Sequence, residues 1–226
     1  MRTKVVEYLF MSSPSFEKRA EQYGLCGTVL AETARGIGIP VHDALVTQWE
    51  DTMAKLAVAD DISEAHPEIF SEPKVLVSAL GLDPAKPALV AAAQGLLIAN
   101  AQSRGSLDLD KHFDARADEA RYCADLLRYQ NPIGYQFASS WKQIEKLSVA
   151  GIYLDSLFDA REDARDTGNF TAGQLATGAV RRMFQISREI RPTTYRSFFA
   201  AANRFGVGKH VMKKALRVVG DSVRSK

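Results

Sequence analysis

Tyr153-Leu-Asp-Ser-Leu-Phe-Asp-Ala-Arg-Glu-Asp-Ala-Arg-Asp166 ends a long helical run that starts near Tyr135. Asp155, Asp159 and Asp163 recur at i, i+4 and i+8, which draws one line along one face of an α-helix. Leu154, Leu157 and Phe158 flank that line, so the carboxylates border an apolar surface. A solvated face more often alternates acid with base along such a line. Here Arg161 and Arg165 fall elsewhere on the wheel.

The same periodicity extends outward to the rest of the chain. Ser15 to Ala34 reads as a first helix, N-capped by Ser13 or Ser15 and stopped near Gly36 and Gly38. Pro40 opens a second, with Leu45, Trp49, Met53, Leu56 and Ala57 at steps of three and four, ending before Pro67. Pro73 to Leu82 is a short helix. Asp83 and Pro84 cap an Ala-rich helix through Asn100. The polar stretch Ser103 to Ser106 then separates it from a helix over about Asp110 to Tyr129. Asn131-Pro132 breaks that one, and the run to Asp166 follows, with an interruption expected near Gly151. Thr171 or a neighbour starts another helix, ending before Pro192, and Thr193 or Thr194 caps one through Phe205. No strand alternation and no repeat is found. The expectation is an all-α single domain, 1–226, a bundle of about eight or nine helices.

Composition bounds the classes open to such a bundle. In 226 residues, 46% are hydrophobic and 25% charged, typical of globular domains and unlike disordered or collagen-like chains. Cys26 and Cys123 are too few for a disulfide framework and suit buried thiols in a reducing compartment. The first ten residues lack a secretory apolar core, and the longest apolar stretch, Ala88 to Ala99, is short of the roughly 20 residues that a spanning helix needs. The chain therefore reads as cytoplasmic. His42, His66, His112 and His210 are scattered without zinc spacing. No Gly-rich phosphate loop or nucleophile elbow occurs.

A second acidic group, Asp60-Asp61-Ile62-Ser63-Glu64, sits at the C-terminal end of the second helix. Asp60 and Glu64 share a face with Asp61 beside them, and the helix dipole disfavours negative charge there. A cation between them would remove both penalties. Oxygen donors in such lines suit Mg²⁺, which keeps several waters and is shared with substrate phosphates.

Lys55-Leu-Ala-Val-Ala-Asp-Asp-Ile-Ser-Glu64 is similar to the first aspartate-rich motif of squalene and phytoene synthases. Leu157-Phe-Asp-Ala-Arg-Glu-Asp-Ala-Arg165 is similar to their second motif. Asp155, Asp159 and Asp163 also resemble the second metal motif of terpene cyclases. The chain thus resembles the class I all-α isoprenoid synthases over about 25 residues at the two motifs. The resemblance implies two motif helices facing each other across an apolar cavity. Mg²⁺ would be held by Asp60, Asp61 and Glu64 from one wall and by Asp155, Asp159 and Asp163 from the other. The substrate would be a prenyl diphosphate, ionised to an allylic cation. Tyr122-Cys123 matches a Tyr-Cys of phytoene synthases, but Ala-Asp-Leu-Leu-Arg-Tyr follows it in place of Val-Ala-Gly-x-Val-Gly. A reaction on one prenyl substrate fits better than head-to-head condensation. Trp49, Phe137, Trp141, Phe158, Phe184, Phe198 and Phe199 are candidates for a dry aromatic wall, with ordinary helix core as the alternative.

The net charge of +2 hides a segregation. From Thr171 onward there are 12 basic and two acidic residues, a surplus of +10, which leaves 17 against 25, or −8, for the first 170. Arg196 and Tyr195 are the candidate diphosphate sensor, since an arginine fork bonds phosphate oxygens in pairs. Residues 206–226 read as a basic amphipathic helix. It packs on the bundle in the first reading, lies on an anionic membrane in the second, and binds nucleic acid in the third. Two other functions compete with the synthase: a non-catalytic helical interaction or regulatory module with a basic tail that binds nucleic acid or an acidic partner, and a Mg²⁺-dependent nucleotide pyrophosphohydrolase.

Overall fold

The computed structural model describes residues 14–66 and 68–207. Eight α-helices and one 3-10 turn, Gly134–Phe137, account for the elements there, and no strand occurs among the described residues. The helices are α1 (Pro14–Gly36), α2 (Asp43–Ala65), α3 (Pro73–Ala79), α4 (Pro87–Gly105), α5 (Leu109–Arg128), α6 (Ala138–Thr167), α7 (Ala172–Ser187) and α8 (Pro192–Arg204). The fold is all-α, as the periodicity predicts.

Local chemistry sets the helix ends. The His42 ring accepts from the Leu45 N–H at 3.2 Å and starts α2. The Asp108 carboxylate accepts from the Asp110 and Lys111 N–H groups and starts α5. Thr171 and Gln174 form a reciprocal capping box on α7. Pro73, Pro87 and Pro192 each occupy the first turn of a helix, where no N–H partner is lost. Gly168, at φ +64°, ends α6 in the left-handed region.

Several boundaries differ from expectation. Asp83 accepts from the Ala85 N–H at 2.9 Å, so it closes a turn and α4 begins only at Pro87. The stretch expected as a loop after Asn100 continues α4 through Gly105, because Ser103 is buried and bonds the Asn100 carbonyl and the Glu119 carboxylate. Gly151 is exposed and α6 passes through it unbroken. Pro192 itself opens α8, and Thr194 is buried rather than capping. The expected basic helix 206–226 lies, beyond Val207, outside the described residues.

The bundle is made of antiparallel neighbours: α1 with α2, α4 with α5, α5 with α6, and α6 with α7. α8 packs on α1. The Ser140 hydroxyl bonds the Ile37 carbonyl at 3.3 Å, which ties the start of α6 to the end of α1. The central core holds Trp49, Trp141, Leu45, Leu127 and Ile144, all buried. Burying each large apolar side chain contributes roughly 1.5–3 kcal/mol. Gly27 lets α2 approach closely, since a Cβ there would stand 2.5 Å from the Trp49 carbonyl oxygen.

Candidate functional site

Antiparallel packing brings five segments to one end of the bundle: the first half of α1, the ends of α2 and α4, the first half of α5 and the second half of α6. Each delivers charge. From α2, Asp60 accepts from Asn100 Nδ2 at 3.1 Å, Arg104 Nη2 at 3.1 Å and Arg19 Nη2 at 3.4 Å. Asp61 pairs with the same Arg19. From α5, Arg116 pairs with Glu119 at 2.6 Å, and Glu119, only 4% exposed, also accepts from Ser103.

The α6 line faces this cluster. Asp155, Asp159 and Asp163 are half-buried, while Arg161, Glu162, Arg165 and Asp166 on the other faces are exposed. Arg116 feels the charge of both acidic groups. Burial works against its charge, but Glu119, Asp155, Asp163 and Asp60 together outweigh burial and raise its pKa. Burial likewise lifts Asp163 to about 6; Arg116 opposes this, and Asp159 and Asp155 add to it. Tyr23 on α1 is pushed up by burial and then by Asp155, with Asp60 adding a smaller contribution. Carboxylates from α2 and α6 thus act on the same arginine and the same phenol.

Both cysteines border the cluster. Burial and then Asp155 raise the Cys26 thiol to about 11. Burial, Glu119 and Asp60 raise Cys123 to about 12. Both stay protonated at neutral pH.

The structure treats the expected site residues unequally. Asp60, Asp61, Asp155, Asp159 and Asp163 belong to this end. Glu64 belongs to the last turn of α2, and its side chain lies outside the described ones. At the group expected to hold a cation, Asp60, Asp61 and Glu64, Arg19 pairs with Asp60 and Asp61 and Arg104 pairs with Asp60. Tyr195 and Arg196 are not brought to the cluster. Tyr195 bonds the Ser187 carbonyl at 3.2 Å, Arg196 is exposed, and Ser197 packs against Gly36. Gly36 is about 25 Å along α1 from Arg19, at 1.5 Å of rise per residue. Nor do the aromatic candidates form a wall together: Trp49 and Trp141 fill the core, and Phe184 and Phe199 are exposed.

Arg19, Arg104, Arg116 and Glu119 were missed in the sequence. Only the i, i+3 spacing of Arg116 and Glu119 hints at a pair, and it reads as ordinary surface charge.

Among the described residues, no three His, Cys, Asp or Glu side chains are gathered closely enough to hold a metal unaided. The donor chemistry nevertheless fits a hard divalent cation. The α6 donors are carboxylate oxygens, and Asp163 is raised first by burial, with Asp159 and Asp155 adding negative charge that a cation would relieve. No protein-family model, curated protein or solved structure matches this chain. Among the described residues, no helix is long and apolar enough to cross a membrane.

Proposed function

We propose that the protein is a Mg²⁺-dependent isoprenoid synthase, a lyase or transferase that ionises a prenyl diphosphate and releases pyrophosphate. One observation carries this reading: Asp60 on α2 and Asp155 and Asp163 on α6, distant in sequence, all act electrostatically on Arg116, which is paired with Glu119. Carboxylates that alternate with arginines are what a site needs to gather both a cation and a diphosphate.

Asp155, Asp159 and Asp163, with Asp60 opposite, would hold the metal. Bound there, Mg²⁺ supplies Lewis-acid neutralisation of the leaving diphosphate. Arg19, Arg104 and Arg116 exchange carboxylate oxygens for diphosphate oxygens, which their planar forks bond in pairs. The substrate C–O bond breaks, its electron pair leaves with the diphosphate, and an allylic cation remains. Tyr23, Cys26 and Cys123 are held neutral beside the charged cluster, so no thiolate or phenolate is present to capture that cation.

Incubation with Mg²⁺ and geranyl, farnesyl or geranylgeranyl diphosphate tests this. Pyrophosphate and a hydrocarbon or prenyl alcohol are expected. Asp159→Asn lowers turnover on the order of 100-fold with helicity unchanged. No turnover of any of the three substrates by folded protein overturns the reading.

The arginine pairs already made by Asp60 and Asp61 favour a second reading, a non-catalytic helical interaction module, because structural ion-pair networks look the same. In that case Mg²⁺ with pyrophosphate leaves thermal stability unchanged.

A further inference from the structure

The other end of the bundle carries an exposed aromatic and basic surface that the site chemistry does not use. Phe184 on α7 is 61% exposed and Phe199 on α8 is 58% exposed. Leaving large apolar rings in water is costly, and grouped exposed ones mark a docking surface. The Tyr195 hydroxyl bonds the Ser187 carbonyl, Tyr195 stacks on Phe199 at 6.2 Å, and Ser187 is three residues from Phe184. Both rings therefore lie within one helical turn of a single inter-helix hydrogen bond.

The charge around them is mostly positive. Thr171 to Val207 contains six arginines and one acid, Glu189, and Glu189 is paired with Lys146 at 3.0 Å. Arg182 is taken by Asp110 and Asp114. Arg181, Arg188 and Arg196 remain exposed, with no carboxylate partner among the described residues. Arg181, Phe184 and Arg188 fall at i, i+3 and i+7 on one face of α7 and its cap, and Arg196 and Phe199 at i and i+3 on α8. Each aromatic ring is thus flanked on its own helix by arginine.

We propose that this α7–α8 surface docks on an anionic lipid bilayer, with Phe184 and Phe199 entering the interface and Arg181, Arg188 and Arg196 lying among the headgroup phosphates. Charge complementarity sets the partner's sign. Exposed phenylalanines favour a bilayer over nucleic acid, because phosphate contacts alone need no apolar ring. The proposal is independent of the reaction assigned to the acidic end.

Co-sedimentation of the full chain with phosphatidylglycerol vesicles and with pure phosphatidylcholine vesicles tests it. Binding is expected only to the anionic vesicles, and high salt releases it. The double variant Phe184→Ser/Phe199→Ser weakens binding about tenfold, the loss of roughly one well-buried apolar side chain. Arg188→Gln/Arg196→Gln weakens it by a similar factor. Exposed positions tolerate both changes, and unchanged circular dichroism verifies the fold. Absence of binding overturns the proposal. So does binding that both double variants retain, which would place the contact elsewhere, for instance in residues 208–226. Salt-dependent binding to duplex DNA without binding to vesicles overturns it as well.

Discussion

Asp60 Oδ1 accepts from Arg104 Nη2 at 3.1 Å, so the C-terminal turns of α2 and α4 are joined by a charge that each end needs and one of them supplies. The negative end of the α2 dipole and two aspartates would otherwise sit together without compensation. Arg104 and Arg19 therefore act as an internal cation, and any external cation must compete with them.

That competition is measurable. Arg104→Gln removes a partly exposed pair and should lower stability by less than about 1 kcal/mol. It should also strengthen Mg²⁺ binding severalfold, read by calorimetry or by the rise in melting temperature with added MgCl₂. Weaker Mg²⁺ binding in Arg104→Gln than in the parent would show that the arginine does not compete with the cation.

Asp163 makes stability depend on pH. Its folded pKa of about 6 lies above the ordinary carboxylate value, so the fold prefers the protonated form. Stability is full below the ordinary value near pH 4 and is lost as pH rises through about 6. Asp163→Asn should match the parent near pH 4 and exceed it by about 1 kcal/mol at neutral pH, after discounting for partial exposure. Urea unfolding at both pH values checks this. Saturating Mg²⁺ should flatten the parent's profile.

The buried Arg116–Glu119 pair should be costly to break. Glu119→Ala leaves Ser103 and one side of the Arg116 guanidinium unsatisfied in a closed environment, and a loss of about 3 kcal/mol is expected in urea unfolding. Glu119→Gln, which keeps the shape and an acceptor, should cost less. Equal losses in the two would mean that the charge, rather than packing, accounts for the whole effect.

Two glycines should respond in opposite directions. Gly27→Ala forces a methyl group onto the Trp49 backbone and should cost about 1–3 kcal/mol. Gly151→Ala meets nothing within 4 Å in an exposed helix interior and should gain roughly 0.5–1 kcal/mol. Thermal melts of the two variants provide the comparison.

Helical periodicity was enough to read the all-α fold, because apolar residues such as Leu45, Trp49, Met53 and Leu56 recur at steps of three and four and no stretch alternates as a strand does. Helix ends were less legible. Ser103 looks like a loop residue until Glu119, on the next helix, is known to receive its hydroxyl. The acidic lines could be read because i, i+4 spacing is local. Their arginine partners could not, since Arg19 is 41 positions from Asp60 and Arg104 is 44. Such pairs are set by which helix ends meet, and no local pattern records that. Arg196 is the converse case: it is near the second motif in sequence, but α7 packs back along α6 and carries the chain away from that motif before α8 begins.

The core contact between Trp49 and Trp141 makes the protein its own optical reporter. These are the chain's only two tryptophans, fully buried with ring centroids 5.4 Å apart, and Trp49 is about 16 Å along α2 from Asp60. Their fluorescence and near-ultraviolet dichroism therefore record whether α2 and α6 are still clasped. They are blind to what the carboxylates hold at the other end. A titration that leaves tryptophan emission unmoved says nothing against binding there, and a Tyr23→Trp variant would give the acidic end a signal of its own.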